Sequence, residues 1–313
     1  MITDELREKI GDRVLVVSVS GGKDSTATCL HLKELGIPYQ AIFFDTGWEH
    51  ETTYEYLTEY LPSKIGPIKR LTRKRSMRSE ALEALAVKYE KRIGFYSPMI
   101  RWIIYKGMFP SRTIRWCTQE LKVYPAAEYL KNMDSEPINV VGIRAEESAK
   151  RSQMDEWEWS DLMDCEVWRP IIHWTFQDVI DIHHRHNVVP NALYLRDSPA
   201  ERVGCYPCIF AKKKEIKSID VNDPERLELL KDLEVDLHRI RCEKWDSKNK
   251  PHREIARWFQ ASIGGGWSID RAVSWARTKH GGKQFELFDA LPGEQGCIRW
   301  GMCDTGMNNL DRE

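Results

Sequence analysis

Apolar residues in the first part of the chain occur in short runs that alternate with helical patterns. The runs 13–19 and 39–45 consist of aliphatic and aromatic residues typical of buried strands. Between them, apolar residues from Ala27 to Leu35 recur at helical spacing, and the pattern stops at Gly36. Two strands joined by a helix predict a crossover connection, and therefore a parallel pair of strands.

The same alternation continues over most of the chain. The predicted helices cover 50–61, 77–92, 118–131 and 175–186, and the predicted strands cover 67–72 and 138–143. Thr175 stands where the last of these helices needs its N-cap. This order of elements predicts an α/β fold with a doubly wound, mainly parallel sheet.

The pattern changes near residue 200. Strand-like runs disappear, cysteines cluster, and helical patterns cover 224–245, 251–260 and 268–279. We therefore expect a nucleotide-binding domain at 1–200 and a smaller, cysteine-rich, mainly helical domain at 201–313.

Charge and composition exclude several classes of protein. The 47 Lys and Arg residues balance 48 Asp and Glu residues, so the whole chain has no field that would attract nucleic acid or a membrane. Only the basic stretches 69–78 and 212–214 are candidates for phosphate contacts, and each is more often a solvated face. The N-terminus has no apolar signal region, and no segment has the roughly 18 apolar residues of a membrane span. We expect a soluble cytoplasmic protein without a membrane partner, whose eight cysteines are reduced.

The junction between the first strand and the first helix reads SVSGGKDS over 18–25. A strand that turns directly into a helix points backbone N–H groups at a ligand, and the helix dipole favours an anion there. Gly21 and Gly22 allow close approach of a phosphate, and Lys23 adds a cation. Asp24 would repel a bound phosphate unless a divalent cation lies between them, so the sequence also predicts Mg²⁺.

These residues resemble a known family. The segment 20–25 is similar to the S-G-G-x-D-S pyrophosphate loop of the adenine-nucleotide α-hydrolase superfamily, which includes N-type ATP pyrophosphatases and phosphoadenylyl-sulfate (PAPS) reductases. The segments 43–57, 115–125 and 141–151 resemble three stretches of the PAPS reductase family in particular, and all four follow that family's order.

The resemblance implies a set of site residues. Expected contacts to ATP or PAPS come from Ser18, Ser20, Gly21, Gly22, Lys23, Asp24, Ser25, Asp45, Thr46, Lys122, Gly142, Arg144 and Arg151. Within that set Asp45 ends a strand, where it serves the metal or nucleotide or instead caps a helix. Arg144 and Arg151 are candidate forks for phosphate or sulfate, with a surface salt bridge as the alternative for Arg151. Lys122 is either a phosphate contact or a solvated lysine.

Cysteines form a second constellation. Cys205 and Cys208 make a C-x2-C pair, and Cys297 and Cys303 make a C-x5-C pair, which together suit zinc or a [4Fe–4S] cluster. A redox-active pair or inert thiols are the alternatives. The resemblance to iron–sulfur adenylyl-sulfate reductases makes Cys117 a candidate to replace one ligand, although the Cys-Cys pair of those enzymes is Trp116-Cys117 here.

The reaction is expected at the α-phosphate of a nucleotide, with Lys23, Asp24, Cys117, Arg144 and Cys303 as candidate catalytic residues. The leading hypothesis is ATP α–β cleavage, with adenylation of an acceptor, release of pyrophosphate and sulfur insertion. The R-W-C-T-x-x-L-K form of the third segment is similar to DNA phosphorothioation sulfurtransferases, so nucleic acid is a candidate acceptor and a sulfur-donor protein or thiol reductant a candidate partner.

Two alternatives remain open. One is a PAPS or adenylyl-sulfate reductase that attacks through Cys303, although the E-C-G-x-H tail of the reductases is absent. The other is a nucleotide- or cluster-binding regulator without catalytic activity.

Overall fold

A computed structural model of the protein describes residues 3–196, 199–252, 257–260, 266–278 and residue 300. Its centre is a six-stranded sheet in the order β3-β2-β1-β4-β6-β5, parallel except for the edge strand β5, which runs antiparallel to β6. The strands are β1 Val14–Ser18, β2 Tyr39–Asp45, β3 Ile68–Thr72, β4 Pro137–Val140, β5 Trp157–Ser160 and β6 Cys165–Trp168. A separate two-stranded ribbon pairs β7 Phe259–Gln260 with β8 Gly266–Trp267.

Helices cover the sheet and continue beyond it. They are α1 Asp4–Ile10, α2 Lys23–Leu35, α4 Glu80–Ile93, α5 Pro98–Lys106, α7 Phe176–Arg185, α8 Lys213–Asn222, α9 Pro224–Asp246 and α10 Ile269–Ala276. Two further helices each contain a π-helical turn: α3 joins Glu51–Glu55, Tyr56–Tyr60 and Leu61–Ile65, and α6 joins Trp116–Thr118, Gln119–Val123 and Tyr124–Lys131. The predicted α/β class with a mainly parallel sheet is confirmed.

Several elements differ from the sequence prediction. The helix predicted at 251–260 is wrong over its described residues, because 257 and 258 are not helical and Phe259 pairs with Trp267 in the ribbon. Trp258 and Phe259 are both buried, so packing against other aromatic rings overrides the local apolar spacing. Helices α1, α5 and α8 and strands β5 and β6 were not predicted.

The two largest apolar cores among the described residues organise the molecule. One lies between the sheet and helices α2 and α7, and includes Leu15, Leu30 and Val179. The other joins α5 to α9, and includes Ile103 and Leu230. Because this second core takes residues from both sides of position 200, it does not by itself mark a boundary there, and the domain division stays a prediction.

The centre of the sheet fixes where a ligand has room. β1 lies between β2 and β4. The chain passes from β1 to β2 and β3 on one side, and it then returns to β4 on the other side of β1. In open α/β sheets a crevice forms at the carboxyl ends of the strands at this kind of switch point. Within the described ranges, none of the helices has the length and apolar character to cross a bilayer.

Candidate functional site

The turn between β1 and α2 is shaped for close approach of a ligand to the backbone. Gly21 has a φ of +72°, and a Cβ on it would lie 3.1 Å from Cγ2 of Thr53. Gly22 is the N-cap residue of α2 and has no side chain that could satisfy the first N–H groups. The hydroxyl of Ser25 donates to the Gly22 carbonyl at 3.0 Å and accepts from the Ser20 amide at 3.2 Å. Ser25 therefore holds the turn in shape from within.

The charged residues of this turn are paired with one another. The Nε of Arg144 donates to Oδ1 of Asp24 at 2.6 Å, and Nζ of Lys23 lies 3.2 Å from Oδ2 of the same carboxylate. Arg144 and Lys23 are 3% and 7% exposed, so the charges interact where water is scarce. Burial alone opposes the charge of Arg144, but Asp24 and Glu146 outweigh it and raise the pKa of the guanidinium. The site is thus strongly charged but locally balanced.

The loop after β4 lies directly against this turn. A Cβ on Gly142 would lie 2.5 Å from Oγ1 of Thr28 and 2.9 Å from the Asp24 carbonyl oxygen, so only glycine fits this contact. The chain then leads to Arg151, which forms an ion pair with Glu147. The sequence prediction extended this strand to 143, whereas β4 ends at Val140 and the following residues serve the contact with α2.

A cavity of about 320 Å³ opens beside the turn. The predicted site residues that line it are Ser20, Gly22, Lys23, Asp24, Ser25, Cys117, Lys122, Gly142, Arg151, Cys205 and Cys208. The predicted residues that are described but do not line it are Ser18, Gly21, Asp45, Thr46 and Arg144. The structure therefore places residues of the turn 20–25 and three of the cysteines around one cavity.

Asp45 is held by hydrogen bonds within the protein, and its contact to a metal or nucleotide stays a prediction. Its Oδ2 accepts from Nε and Nη2 of Arg70 at 2.9 and 2.6 Å and from Thr72 at 3.2 Å, all from the neighbouring strand β3. Its Oδ1 accepts from the Tyr54 hydroxyl and the Gly47 amide, both at 2.8 Å. The carboxylate is buried and fully hydrogen-bonded within the protein, so it joins β2 to β3 and does not reach the cavity.

Thr46 links the end of β2 to the cysteine loop. Its hydroxyl lies 2.7 Å from Oε1 of the buried Glu49 and 3.7 Å from Sγ of Cys205. Thr46 thus contacts Glu49 and Cys205, and its predicted contact to the nucleotide stays a prediction.

The thiols of Cys117, Cys205 and Cys208 line the cavity around Lys122. Burial raises the pKa of Cys205 to about 12, and the ammonium of Lys122 acts in the opposite direction. Cys205 is the main cause of the raised pKa of Lys122, and burial of the ammonium acts in the opposite direction. Over the described part of the chain, no group of three histidine, cysteine or acidic side chains has metal-binding geometry. Cys297 and Cys303 lie outside the described residues.

Hydrogen bonds to Trp48 fix the loop that carries Cys205 and Cys208. The amide of Tyr206 donates to the Trp48 carbonyl at 2.7 Å, and Nε1 of Trp48 donates to the Pro207 carbonyl at 3.2 Å. The loop is thereby attached to the segment that follows β2.

Asp223 supports the same loop from the start of α9. Its carboxylate accepts from His50 at 2.9 Å, from Arg196 at 2.7 Å and from the hydroxyl of Tyr206. Burial acts to raise the pKa of Asp223, but these three hydrogen bonds outweigh it and hold the pKa well below its usual range. Asp223 is thus an ionised residue on which three separate segments converge.

Sequence reasoning missed Tyr194. This residue ends a short 3-10 turn after α7, and its hydroxyl lies 3.3 Å from the Lys23 amide and 3.2 Å from the Val203 amide. Tyr194 lines the cavity and is 4% exposed. It belongs to no recognised motif, and it lies about 170 residues from the turn it contacts, so no sequence signal pointed to it.

The chain is similar to known proteins in sequence and in structure. The phosphoadenosine phosphosulfate reductase domain model matches residues 14–211. An uncharacterized 37.8 kDa protein of Escherichia phage 186 is 32% identical over 92% of this chain and 96% of its own length. The adenosine 5'-phosphosulfate reductase of Anoxybacillus flavithermus is 30% identical over 29% of this chain and 37% of that enzyme. The PAPS reductase from Candida auris, solved as a phosphate complex, has a TM-score of 0.42 and 16% identity over 62% of this chain and 91% of its own.

Proposed function

Because this chain belongs to the phosphoadenosine phosphosulfate reductase domain family, we propose that it binds the phosphate chain of ATP at the turn 20–25 and uses the nucleotide for sulfur transfer. The observation that carries the proposal is the single cavity, about 320 Å³ in volume, which the turn shares with Cys117, Cys205 and Cys208. A phosphate site and a group of thiols on one cavity suit a reaction in which a nucleotide activates an acceptor and sulfur follows.

The proposed reaction has two steps. An acceptor oxygen attacks the α-phosphorus of ATP, the bond between that phosphorus and the bridging oxygen to the β-phosphate breaks, and pyrophosphate leaves with the bond electrons. A sulfur nucleophile supplied by a donor protein then attacks the activated carbon or phosphorus of the acceptor, and AMP leaves. Lys23 and the backbone amides at the start of α2 stabilise the charge on pyrophosphate.

Magnesium fits the donor set of this cavity. Carboxylate and phosphate oxygens are the ligands Mg²⁺ prefers, and it is commonly held by one or two carboxylates plus the substrate phosphates. Asp24 lines the cavity and is the residue that would hold the ion, which would neutralise charge on the leaving pyrophosphate.

Cys205 and Cys208, with Cys297 and Cys303, are the proposed ligands of an iron–sulfur cluster or zinc, and Cys117 is a replacement for one of them. The soft thiolate donors suit both groups, and the raised pKa of Cys205 is the behaviour of a buried thiol without a metal. A bound metal would hold the thiolates deprotonated beside Lys122.

A nucleic-acid acceptor is supported by a band of cations and aromatic rings that begins at the cavity. We call it the arginine band. It contains Arg112 and Arg115 beside Phe210, Lys106 beside Trp116 and Trp102, Arg73 and Arg75 beside Trp102, and Arg75 and Arg78 beside Tyr105. Arg115 and Phe210 line the cavity itself.

Part of the arginine band has no ion-pair partner among the described residues. Arg73 pairs with Glu120, whereas Arg75, Arg78, Arg112 and Arg115 form no ion pair with any described residue. Guanidinium groups stacked on aromatic rings keep their N–H edges for phosphate oxygens. Arg70 forms an ion pair with Asp45. Within the basic stretch 69–78, we therefore propose phosphate contacts for Arg75 and Arg78 in its second half.

A reductase is the second candidate, and the similarity to an adenosine 5'-phosphosulfate reductase favours it. In that reaction a thiolate such as Cys303 attacks the sulfur of the sulfated nucleotide, the sulfur–oxygen bond to the phosphate breaks, and a second thiol releases sulfite.

The two candidates are separated by their products. We incubate anaerobically purified protein with ATP, Mg²⁺, a single-stranded oligonucleotide as acceptor and sulfide as sulfur nucleophile, and separately with PAPS and a thiol reductant, and measure pyrophosphate, AMP and sulfite. The proposal expects pyrophosphate and AMP in equal amounts from ATP, with a loss of at least about 100-fold in Lys23→Ala because a charged contact to the leaving group is removed. Lys33→Ala is the matched control, since Lys33 lies on the same helix but donates to the Lys64 carbonyl.

Two outcomes contradict the proposal. Sulfite from PAPS without cleavage of ATP assigns the reductase reaction instead. Equal rates in Lys23→Ala and Lys33→Ala would remove the turn from catalysis, provided that both variants unfold at the same temperature as the natural protein.

A further inference from the structure

Tyr194 occupies an unusual position for a tyrosine hydroxyl. The N–H of Lys23, the first residue of α2, points at an oxygen 3.3 Å away, and that oxygen is the hydroxyl of Tyr194. The amide of Val203 approaches the same oxygen at 3.2 Å. A Cβ on Gly22 would lie 3.4 Å from it, so the hydroxyl lies against the backbone of the turn.

The hydrogen-bonding capacity of the hydroxyl is only partly used. A phenolic oxygen accepts hydrogen bonds and also donates one proton. The amides of Lys23 and Val203 occupy its acceptor positions, and no described residue accepts its proton. A buried donor without an acceptor is costly, and such groups normally find a partner. The cavity that Tyr194 lines has room for such a partner.

We propose that the Tyr194 hydroxyl donates its proton to an oxygen of the bound nucleotide's phosphate chain, so that it extends the reach of the Lys23 amide into the cavity. The proposal rests on the proposed function and names one further binding residue for the same site. The Lys23 amide then acts on the phosphate through the hydroxyl, because an O–H that accepts from N–H groups is polarised into a stronger donor.

The chemistry around the hydroxyl agrees with a donor. Nζ of Lys23 lies 5.2 Å from the centre of the Tyr194 ring, so a phosphate at the hydroxyl also lies near an ammonium. Burial raises the pKa of Tyr194, so the hydroxyl keeps its proton at neutral pH. Ser20 and Gly22 line the cavity next to it.

The test is the binding of ligands with and without phosphates to Tyr194→Phe. Isothermal titration measures the affinity of the full chain for ATP, PAPS, inorganic pyrophosphate and adenosine. The proposal expects a loss of about 10- to 100-fold for the phosphate-bearing ligands, as for a hydrogen bond to a charged group. The affinity for adenosine is expected to stay within about twofold, because adenosine has no phosphate oxygen.

Tyr56→Phe is the matched control. Tyr56 is also buried and close to the turn, but its hydroxyl donates to the Val189 carbonyl at 2.8 Å and does not line the cavity. This variant is expected to bind ATP with the affinity of the natural protein.

The possible results separate the two proposals. Unchanged affinity for ATP in Tyr194→Phe overturns the role of Tyr194. An equal loss of affinity for adenosine and ATP also overturns it, because it means that the tyrosine only packs the turn. If the natural protein binds none of ATP, PAPS and pyrophosphate, the proposed function and this inference are both wrong.

Discussion

At the scale of single residues, the turn at the candidate site carries charged side chains that form ion pairs within the protein. Asp24 holds both Lys23 and Arg144 in ion pairs, at 3.2 and 2.6 Å. In the proposed function, a nucleotide that arrives with Mg²⁺ would offer the cations new anions and offer Asp24 a new cation. This exchange would keep each of these charges paired, which would limit the desolvation cost of binding.

Asp223 allows a pH prediction. Its carboxylate is held ionised by hydrogen bonds that lower its pKa, so it stabilises the fold at pH values above the ordinary aspartate pKa near 4, and this contribution is lost as the pH falls further. Because its side chain is only 12% exposed, we expect Asp223→Asn to lower the free energy of unfolding by about 3 kcal/mol at pH 7. Urea titrations between pH 7 and pH 3 measure this difference, which should narrow below about pH 4.

Asp246→Asn is the control for this experiment. The Asp246 side chain is 67% exposed beside His252, and the expected loss is within about 0.5 kcal/mol. A loss in Asp223→Asn that is constant over the whole pH range would show that shape, and not charge, is what Asp223 contributes.

Single residues were predictable where a local motif carries them. Gly22, Lys23 and Asp24 follow directly from the chemistry of a strand-to-helix turn and line the cavity. Tyr194 and Asp223 were not predictable, because their partners lie far away in the sequence and only the fold brings them together. Asp45 was predicted to serve the nucleotide or metal, or to cap a helix, because it ends a strand; its ion pair with Arg70 on the adjacent strand could not be predicted from the sequence.

At the scale of elements, the site depends on how closely α2 approaches the loop after β4. Gly142 makes this approach, with space for no Cβ. Any side chain there pushes the start of α2 away from β4, and Lys23 and Asp24 move with it.

Gly142→Ala should therefore reduce both stability and nucleotide binding. The expected loss is about 1–3 kcal/mol in the free energy of unfolding, as for other forced contacts, and about tenfold or more in the affinity for ATP. Thermal unfolding and isothermal titration measure the two effects on the same preparation.

Gly36→Ala separates the two effects. Gly36 caps the other end of α2 with a φ of +71°, and a Cβ on it would meet no atom within 4 Å, so alanine there costs roughly 1–2 kcal/mol of backbone strain. Its affinity for ATP should stay unchanged. If Gly142→Ala also retains the natural affinity for ATP, the close packing serves stability alone.

Elements with a clear period were predicted, and elements decided by packing were not. β1, β2 and α2 follow from their apolar runs and from Gly36. Helix α5 is buried on most of its sides, and Met99, Ile100, Ile103 and Ile104 leave no polar face to reveal a period. β5 and β6 have four residues each, which is too short for an alternation to stand out.

At the scale of the whole molecule, a balanced net charge conceals a local basic surface. The arginine band predicts binding of a polyanion even though the chain has a formal charge of −1. We expect the double substitution Arg75→Gln and Arg78→Gln to weaken binding of a fluorescent single-stranded oligonucleotide by about tenfold at 100 mM salt, because two phosphate contacts are lost. The slope of log affinity against log salt should decrease by about 1.4.

Arg239→Gln is the control for the arginine band. Arg239 is exposed on α9 but is bound to Asp236 and Glu243, so its loss should leave the affinity and the salt slope unchanged. Equal effects of the two substitutions would mean that oligonucleotides bind without a defined surface, and the acceptor would then be sought among small molecules.

The hydrogen bonds between Trp48 and the loop at 206–207 have a consequence for the order of events in a turnover. They tie the loop that carries Cys205 and Cys208 to the chain that leaves the sheet after β2, so these thiols keep a fixed place beside the turn 20–25. In the proposed reaction, an adenylated acceptor held in this cavity would meet the incoming sulfur without passing through bulk solvent, where hydrolysis would consume it. Because this wall of the cavity stays in place, the acceptor and the sulfur donor would be the components that have to move.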